Sequence, residues 1–279
     1  MQAAHNGKLS GAVLLDLSAA FDLVSHDILI DKLKVYGLQN DILEWVQSYL
    51  TKRVQSVWID HTFSSYLPCE VGVPQGSNLG PLFFSLFVND LPFSLDCEMV
   101  QYADDSTLTA SGKCVDEISD KLQSNCESVK LWMEKNKQKL NPEKTHIILL
   151  GTDQRLNISQ DKLQVQIGGV KLKSSEVQYE SLLGCWIQSN LKWGKHITEL
   201  ALKLKSRIVA IRYLKYVLPF QQRKILAEGI VNSVLTYCLP LYGGCTRGEI
   251  KELQIIQNMA ARIVCHAPDW QAGVKCSII

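Results

Sequence analysis

The chain has 279 residues, of which 46% are hydrophobic, so it is long enough for two modest domains or for one domain with an appended helical bundle. No apolar run approaches membrane-spanning length and no signal-peptide pattern opens the chain, so we expect no membrane partner. The nine cysteines are scattered without a Cys-x-x-Cys pair, which argues against a disulfide framework or a zinc ribbon. This usage favours a reducing intracellular compartment, the nucleus or the cytoplasm.

The net charge of +1 conceals a strong asymmetry along the chain. Residues 1–110 contain 5 Lys or Arg against 13 Asp or Glu, whereas residues 111–279 contain 24 against 15. An acidic half is typical of cation binding and a basic half of polyanion binding. Uneven surface charge without a function is the alternative interpretation.

The N-terminal part of the chain begins with a strand pattern and continues with two helical patterns. Gly11–Leu15 is a continuous apolar run that predicts a buried strand, and it places Asp16 at the end of that strand. A helical periodicity follows over Ser18–Gly37. A second helix is predicted over Asn40–Leu50, with the asparagine as its N-cap.

A segment rich in glycine and proline follows two short predicted strands at 55–60 and 66–71. Gly72–Pro81 contains three glycines and two prolines in ten residues, which excludes a regular element. The missing Cβ atoms would let a strand or a base pair approach the backbone closely. Pro81 suits the first turn of the next helix, so a simple helix-entry loop is an equal alternative.

Two adjacent carboxylates, Asp104 and Asp105, lie between two short runs of strand-forming residues, Glu98–Tyr102 and Ser106–Thr109. This pattern predicts a β-hairpin with the aspartates at its tight connection, where short polar residues are favoured. Their side chains should point to opposite sides unless the turn redirects one of them. Repulsion between the two charges is relieved either by a divalent cation or by exposure to solvent, and the pair alone does not decide between them.

The middle of the chain contains one long helix and several strands. An amphipathic helix is predicted over Val115–Lys137, and a turn at Leu140–Thr145 precedes an apolar strand at His146–Leu150. Residues 152–162 are polar and are predicted to form a loop. The remaining predictions are a hairpin at 163–173 and strand-like sequence at 177–187.

The last third of the sequence is helical. Between Lys192 and Lys215 there are seven Lys or Arg and one acid, so this helix could lie along a phosphate backbone or simply present a solvated face. A further helix is predicted over about 221–237. The final helix begins with the capping-box candidate Thr246–Glu249.

These elements predict an α/β (α+β) fold, in which a mixed or antiparallel sheet carries helices and a helical region follows. Asp16, the Gly72–Pro81 loop and the hairpin with Asp104 and Asp105 then form one constellation. Nucleotidyl transfer uses two cations about 4 Å apart, one at the attacking hydroxyl and one at the leaving pyrophosphate. Mg²⁺ keeps several waters, so two or three aspartates from adjacent strands suffice to bind it.

Six segments stand in one order over about residues 9–266, and together they are far more specific than any one of them. They resemble the motifs of the reverse transcriptases of non-LTR (LINE-type) retrotransposons: three palm motifs, a fourth motif, the primer-grip hairpin and part of the thumb. The segments are Leu15–Asp22, Gly72–Pro81, Tyr102-Ala103-Asp104-Asp105, Trp132–Thr145, Leu183-Gly184 and Leu253–Arg262.

The resemblance implies a polymerase palm with an antiparallel sheet over residues 1–190, a helical thumb-like region over 191–266 and an unstructured tail over 267–279. Only fifteen residues precede Asp16, so most of the family's fingers subdomain is expected to be missing. The implied activity is RNA-directed DNA polymerisation, which transfers a nucleotide from a dNTP to the 3′-hydroxyl of a DNA primer on an RNA template. A catalytically inactive remnant that only binds nucleic acid is the alternative.

The resemblance also assigns catalytic roles. Asp16 and Asp104 would bind two Mg²⁺ ions, or Mn²⁺, with Asp105 nearby as a third catalytic and metal-binding carboxylate. Lys144 would be the general acid or the cation that stabilises charge at the pyrophosphate, although a surface lysine after a proline turn is the alternative. Phe21 would be the steric gate that excludes a 2′-hydroxyl.

Two further pairs of residues receive binding roles from the resemblance. Gln75 and Gly76 would contact the template–primer and the incoming nucleotide. Leu183 and Gly184 would form the primer grip. None of these roles requires a protein nucleophile, and the sequence contains no obvious catalytic triad.

Overall fold

The computed structural model describes residues 8–159, 163–174 and 177–267. The chain divides into two compact units, Met1–Gln178 and Tyr179–Ile279. The boundary between the units therefore precedes the predicted one at residue 190, and the assignment of palm and thumb-like regions stays a prediction. The predicted tail, 267–279, lies outside the described residues except for Ala267.

The first unit combines a four-stranded sheet with helices and small hairpins. In chain order the elements are β1 (Leu9–Leu15), α1 (His26–Val35), α2 (Asp41–Leu50), β2 (Val54–Gln55), β3 (Trp58–Ile59), β4 (Thr62–Phe63), β5 (Leu67–Pro68), α3 (Gly80–Val88), β6 (Glu98–Tyr102), β7 (Asp105–Gly112), α4 (Val115–Lys135), β8 (His146–Leu150), α5 (Asp153–Ser159), β9 (Gln164–Ile167) and β10 (Val170–Lys173). All neighbouring strands in the four-stranded sheet are antiparallel, and the strand order is β6–β7–β1–β8, which confirms the predicted sheet.

Strand β1 lies inside the sheet, and α4 packs across it. The apolar stripe of α4 is fully buried at Ile118, Leu122 and Val129, as its helical spacing predicts. Gly11 lets this helix approach, since a Cβ at that position would lie 2.7 Å from Cγ2 of Ile118. The packing of α4 thus fixes β1, and it thereby fixes the position of Asp16, which follows this strand.

One predicted helix begins later than the sequence suggested. The helix predicted from Ser18 is wrong up to residue 25. This segment forms turns and pairs with a distant loop, and α1 begins only at His26. The N–H of Val73 donates to the C=O of Phe21 at 2.9 Å, and the N–H of Gly72 donates to the C=O of Val24 at 2.8 Å. Tertiary hydrogen bonds therefore override the local helical pattern.

Two other predictions on the first unit need correction. In place of the two strands predicted at 55–60 and 66–71, residues 54–68 contain four strands of two residues each, β2 to β5, arranged as two small ladders. Within the segment predicted as a loop, residues 153–159 form helix α5. Residues 160–162 of that loop lie outside the described residues.

The second unit begins with a hairpin and is otherwise helical. The helix predicted over 221–237 is interrupted, because a π-helical turn at Glu228–Asn232 separates two shorter helices. The predicted capping box is confirmed: the N–H of Glu249 donates to Oγ1 of Thr246, and the N–H of Thr246 donates to the Glu249 carboxylate. The elements are β11 (Tyr179–Leu182), β12 (Cys185–Gln188), α6 (Gly194–Leu214), α7 (Phe220–Ala227), α8 (Ser233–Thr236), α9 (Leu239–Tyr242) and α10 (Arg247–Val264).

The core of the second unit lies between α6 and α10. Leu204, Val231 and Ile256 are fully buried in it. In neither unit does any helix of the described residues combine the length and the apolar character needed to cross a membrane.

His196 makes the stability of the second unit depend on pH. Its Nδ1 accepts from the N–H of Trp186 at 3.4 Å, its Nε2 is buried without a hydrogen-bond partner among the described residues, and burial lowers its pKa. The unfolded chain therefore takes up a proton at a higher pH than the folded chain does. We expect the free energy of unfolding to fall as the pH drops below about 6.5.

Denaturant unfolding at about pH 7.5 and about pH 5.5 checks this expectation. His196→Phe should reduce the loss of stability at the lower pH, because it removes a group that is protonated more readily in the unfolded state. His266→Phe, at an exposed histidine of the same unit, is the matched control and should keep the pH dependence of the wild-type chain. An unaltered pH dependence in His196→Phe would contradict the prediction.

Candidate active site

Residues from the first three motifs and from the 140–145 turn line one cavity of about 510 Å³ in the first unit. The segment after β1, the glycine-rich loop, the β6–β7 turn and the turn before β8 each contribute to its wall. The structure thus brings together most of the site residues predicted within the first unit, namely Asp16, Phe21, Gln75, Gly76, Asp104 and Lys144.

Asp16 is held by the turn that carries Lys144. Its C=O accepts from the N–H of Asn141 at 2.8 Å, and its N–H donates to Oγ1 of Thr145 at 3.4 Å. The same threonine hydroxyl donates to the C=O of Asn141 at 2.7 Å, which closes the turn on itself. The backbone of Asp16 and the loop of Lys144 are therefore fixed to each other, although they are far apart in sequence.

The hairpin presents its two aspartates differently. Tyr102 pairs with Asp105, so Ala103 and Asp104 form the two-residue turn, and Asp104 lines the cavity. Asp105 is the first residue of β7 and lies outside the cavity lining. Ala103 has a φ of +53°, a conformation that costs a non-glycine residue about 1–3 kcal/mol and that recurs at functional sites.

The charges around this turn influence one another. Partial desolvation raises the pKa of Asp105, and the negative charges of Asp104 and Asp16 raise it further, whereas Lys144 lowers it. The three carboxylates and the ammonium therefore share one electrostatic environment. A bound cation would relieve the repulsion among the carboxylates.

The donor set fits a divalent cation that keeps part of its hydration shell. Asp16 and Asp104 line one cavity, and carboxylate oxygens are the hard ligands that Mg²⁺ prefers. Among residues 8–159, 163–174 and 177–267, no three His, Cys, Asp or Glu side chains form a closed metal site. Two carboxylates with water and substrate phosphates match the usual way in which Mg²⁺ is bound.

Phe21 also lines the cavity. Its ring stacks on Phe84 of α3, with the ring centroids 4.4 Å apart, so it cannot move without disturbing the core. Gly76 of the adjoining loop has a φ of +77°, and a Cβ there would meet no atom within 4 Å. This part of the loop thus combines a backbone conformation that favours glycine with open space in front of it.

Leu183 and Gly184 lie in the second unit, at the turn between β11 and β12. Both have positive φ, as a two-residue hairpin turn requires, and the C=O of Leu183 accepts from the hydroxyl of Tyr237 at 2.8 Å. This hydrogen bond ties the turn to the helical part of its own unit. The primer-grip role of the two residues stays a prediction.

Sequence reasoning missed two supporting features of the site. The sequence places Asn141 and Thr145 in a turn and in the fourth-motif segment, but it does not indicate that they hold the backbone of Asp16. The Asn141-Pro142 dipeptide signalled the turn but not its partner. Asp22 belongs to the first motif, but no local sequence pattern indicates its hydrogen bond to Gln75.

Comparison with known proteins agrees with this arrangement. The family model for "Reverse transcriptase (RNA-dependent DNA polymerase)" matches residues 1–187. Over 293 residues the chain is 28% identical to a probable RNA-directed DNA polymerase from transposon BS of Drosophila melanogaster, an alignment that covers 98% of this chain and 31% of that protein. It is also 28% identical to the RNA-directed DNA polymerase from mobile element jockey of Drosophila funebris, with 100% and 31% covered.

Among solved structures, the chain is similar to apo telomerase from Candida tropicalis, at 12% identity and a TM-score of 0.47 over 92% of this chain and 47% of that one. The chain spans about a third of the length of the curated relatives named above. The family model covers well over half of the chain, and the relatives come from mobile elements, as the six motifs predict. The relatives from mobile elements agree with the resemblance to the non-LTR, LINE-type enzymes, and the chain belongs to the reverse transcriptase (RNA-dependent DNA polymerase) family.

Proposed function

We propose that this chain is the catalytic part of an RNA-directed DNA polymerase, which adds deoxynucleotides to the 3′-hydroxyl of a DNA primer on an RNA template. One observation carries the proposal: Asp16, which directly follows β1, and Asp104, in the turn before the neighbouring strand β7, line the same cavity as Phe21, Gln75 and Lys144. Two-metal nucleotidyl transfer needs this combination of carboxylates, a nucleotide-sized space and a nearby cation.

Enzymes of this family generally use divalent metal ions. In this chain Asp16 and Asp104 would hold two Mg²⁺ ions, or Mn²⁺, with Asp105 nearby. When bound, the ions supply activation of the primer hydroxyl and neutralisation of the leaving pyrophosphate. The carboxylates are held ready for this task by the sheet and by the turn around Asn141.

The other residues of the cavity would bind and orient the substrates. The Phe21 ring, held against Phe84, would press on the sugar of the incoming nucleotide and exclude a 2′-hydroxyl. Gln75 and Gly76 would contact that nucleotide and the template–primer. The exposed ammonium of Lys144 would stabilise negative charge as it develops on the pyrophosphate.

The remainder of the chain would hold the nucleic acid. Residues 1–190 would form the palm and residues 191–266 the thumb-like region, with Leu183 and Gly184 as the primer grip. Helix α6 and the residues beside it carry seven Lys or Arg between 192 and 215, which suit the phosphates of an RNA–DNA duplex.

Primer extension tests the proposal directly. A DNA primer annealed to an RNA template is incubated with the chain, Mg²⁺ and dNTPs, and we expect extension that Asp16→Asn abolishes because an amide replaces a carboxylate ligand poorly. Asp116→Asn, at a charged residue in the first turn of α4, is the matched control and should extend like the wild-type chain. If the chain bound the duplex in a salt-sensitive way but did not extend the primer even at high protein concentration, the polymerase function would be refuted. The chain would then be a protein that only binds nucleic acid.

A further inference from the structure

Asp22 and Gln75 form a hydrogen bond beside the catalytic cavity. The Nε2 of Gln75 donates to Oδ1 of Asp22 at 2.8 Å. An ionised carboxylate can only accept hydrogen bonds, so this contact also decides which way the amide faces. The Gln75 nitrogen is directed to Asp22, and neither the Oε1 nor the second N–H of Gln75 has a hydrogen-bond partner among the described residues.

The backbone on both sides of this contact is rigid. The N–H groups of Gly72 and Val73 donate to carbonyls of the segment that carries Asp22, and Nε2 of His26 adds a hydrogen bond to the C=O of Gly72 at 2.7 Å. Gly72 has a φ of +90°, and a Cβ there would lie 2.9 Å from the backbone oxygen of Asp22. The two segments thus lie in direct contact, and the remaining freedom belongs to the Gln75 side chain.

The Gln75 side chain also borders a second cavity. Gln75 lines both the catalytic cavity and an adjacent cavity of about 540 Å³, and Asp22 lines only the second. Both residues are exposed, so burial does not hold the Gln75 side chain in one rotamer. A free glutamine loses considerable rotamer entropy when it is fixed, which makes a tethering hydrogen bond important for its position.

We propose that Asp22 is a positioning residue that fixes the Gln75 amide at the boundary between the two cavities and so governs affinity for the incoming dNTP. The inference rests on the proposed function, in which Gln75 contacts the nucleotide. Without Asp22 the Gln75 side chain is free to leave this boundary towards either cavity or to reverse its amide. The carboxylates of Asp16 and Asp104 are unaffected by such a change, so nucleotide binding suffers and the chemical step does not.

Steady-state incorporation of a single dNTP separates these effects. Asp22→Ala should raise KM about tenfold, as expected for losing one hydrogen bond to a charged group, and leave kcat within about twofold. Asp22→Asn keeps an acceptor oxygen in the same place and should stay within about threefold of the wild-type KM. Asp31→Ala is the matched control, since Asp31 is an exposed aspartate that accepts from Lys34 at 2.8 Å, and it should change neither constant.

A double-mutant cycle excludes a merely structural role. If Asp22 acts through Gln75, then Asp22→Ala adds nothing to the KM of Gln75→Ala. An equal rise of KM in both backgrounds, or no rise in Asp22→Ala alone, overturns the inference. Extension by the wild-type chain with an unchanged KM in Asp22→Ala refutes the positioning role alone, whereas no extension by the wild-type chain refutes the proposed function.

Nuclear magnetic resonance gives a readout that needs no activity. In a chain with nitrogen-15 in its glutamines, the Gln75 side-chain amide is identified by its loss in Gln75→Ala. Its proton shift should move in Asp22→Ala, because the charged acceptor is gone, and should stay in place in Asp31→Ala. If the proton shift of the Gln75 amide does not change in Asp22→Ala, the inference is refuted, whatever the activity of the chain.

Discussion

Asp104→Asn is expected to lower the rate of primer extension by about a thousandfold. Asp104 stands at the tip of the β6–β7 turn and lines the same cavity as Asp16, so in the proposed mechanism it shares both metal ions. A neutral amide is a poor ligand for Mg²⁺, and a thousandfold loss corresponds to about 4 kcal/mol of transition-state stabilisation. Single-nucleotide incorporation on an RNA template, with Mg²⁺ and then with Mn²⁺, measures the change.

Glu98→Gln is the control for this prediction, because Glu98 is an exposed acid on β6 of the same hairpin and lies outside the cavity lining. It should extend the primer like the wild-type chain. If Asp104→Asn kept more than about a tenth of the wild-type rate while folding normally, Asp104 would not be a metal ligand in the reaction.

Phe84→Ala is expected to lower the free energy of unfolding by about 3–5 kcal/mol, the range for emptying a buried aromatic site. Phe84 is fully buried in α3, and its ring stacks on Phe21 at a centroid distance of 4.4 Å. The substitution removes the support of the proposed sugar gate as well as core volume. Denaturant unfolding of the whole chain measures the loss.

Phe93→Ala gives the comparison, since Phe93 is 85% exposed and lies just after the same helix. It should change the free energy of unfolding by no more than about 0.5 kcal/mol, as surface substitutions usually do. Equal effects of the two substitutions would mean that α3 does not contribute to the core of the first unit in the way described.

Periodicity predicted those parts of the fold in which the local pattern and the tertiary contacts favour the same element. The strand that ends at Leu15, the β6–β7 hairpin and helix α4 follow from local patterns, and so does the capping box of α10. The segment from Ser18 to residue 25 has a helical pattern and forms no helix, because its carbonyls pair with Gly72 and Val73. A pairing across almost fifty residues leaves no trace in local periodicity.

The candidate site shows the same division. Asp16, Asp104 and Gln75 were singled out because their residue types and order match a known chemistry, and the structure brings them to one cavity. The groups that hold them, Thr145 for Asp16 and Asp22 for Gln75, have no such signal. These contacts depend on the tertiary structure, so they cannot be predicted from local patterns in a single sequence.

The direct hydrogen bonding of β1 to β7 has a consequence for which changes the chain tolerates. Leu15 pairs with Ser106, so Asp16 owes its direction to the register of the ladder. Side chains alternate along a strand, and one residue inserted into Leu9–Leu15 would turn the carboxylate to the opposite face. Substitution of one apolar residue by another within that strand should therefore be tolerated better than insertion or deletion of a residue.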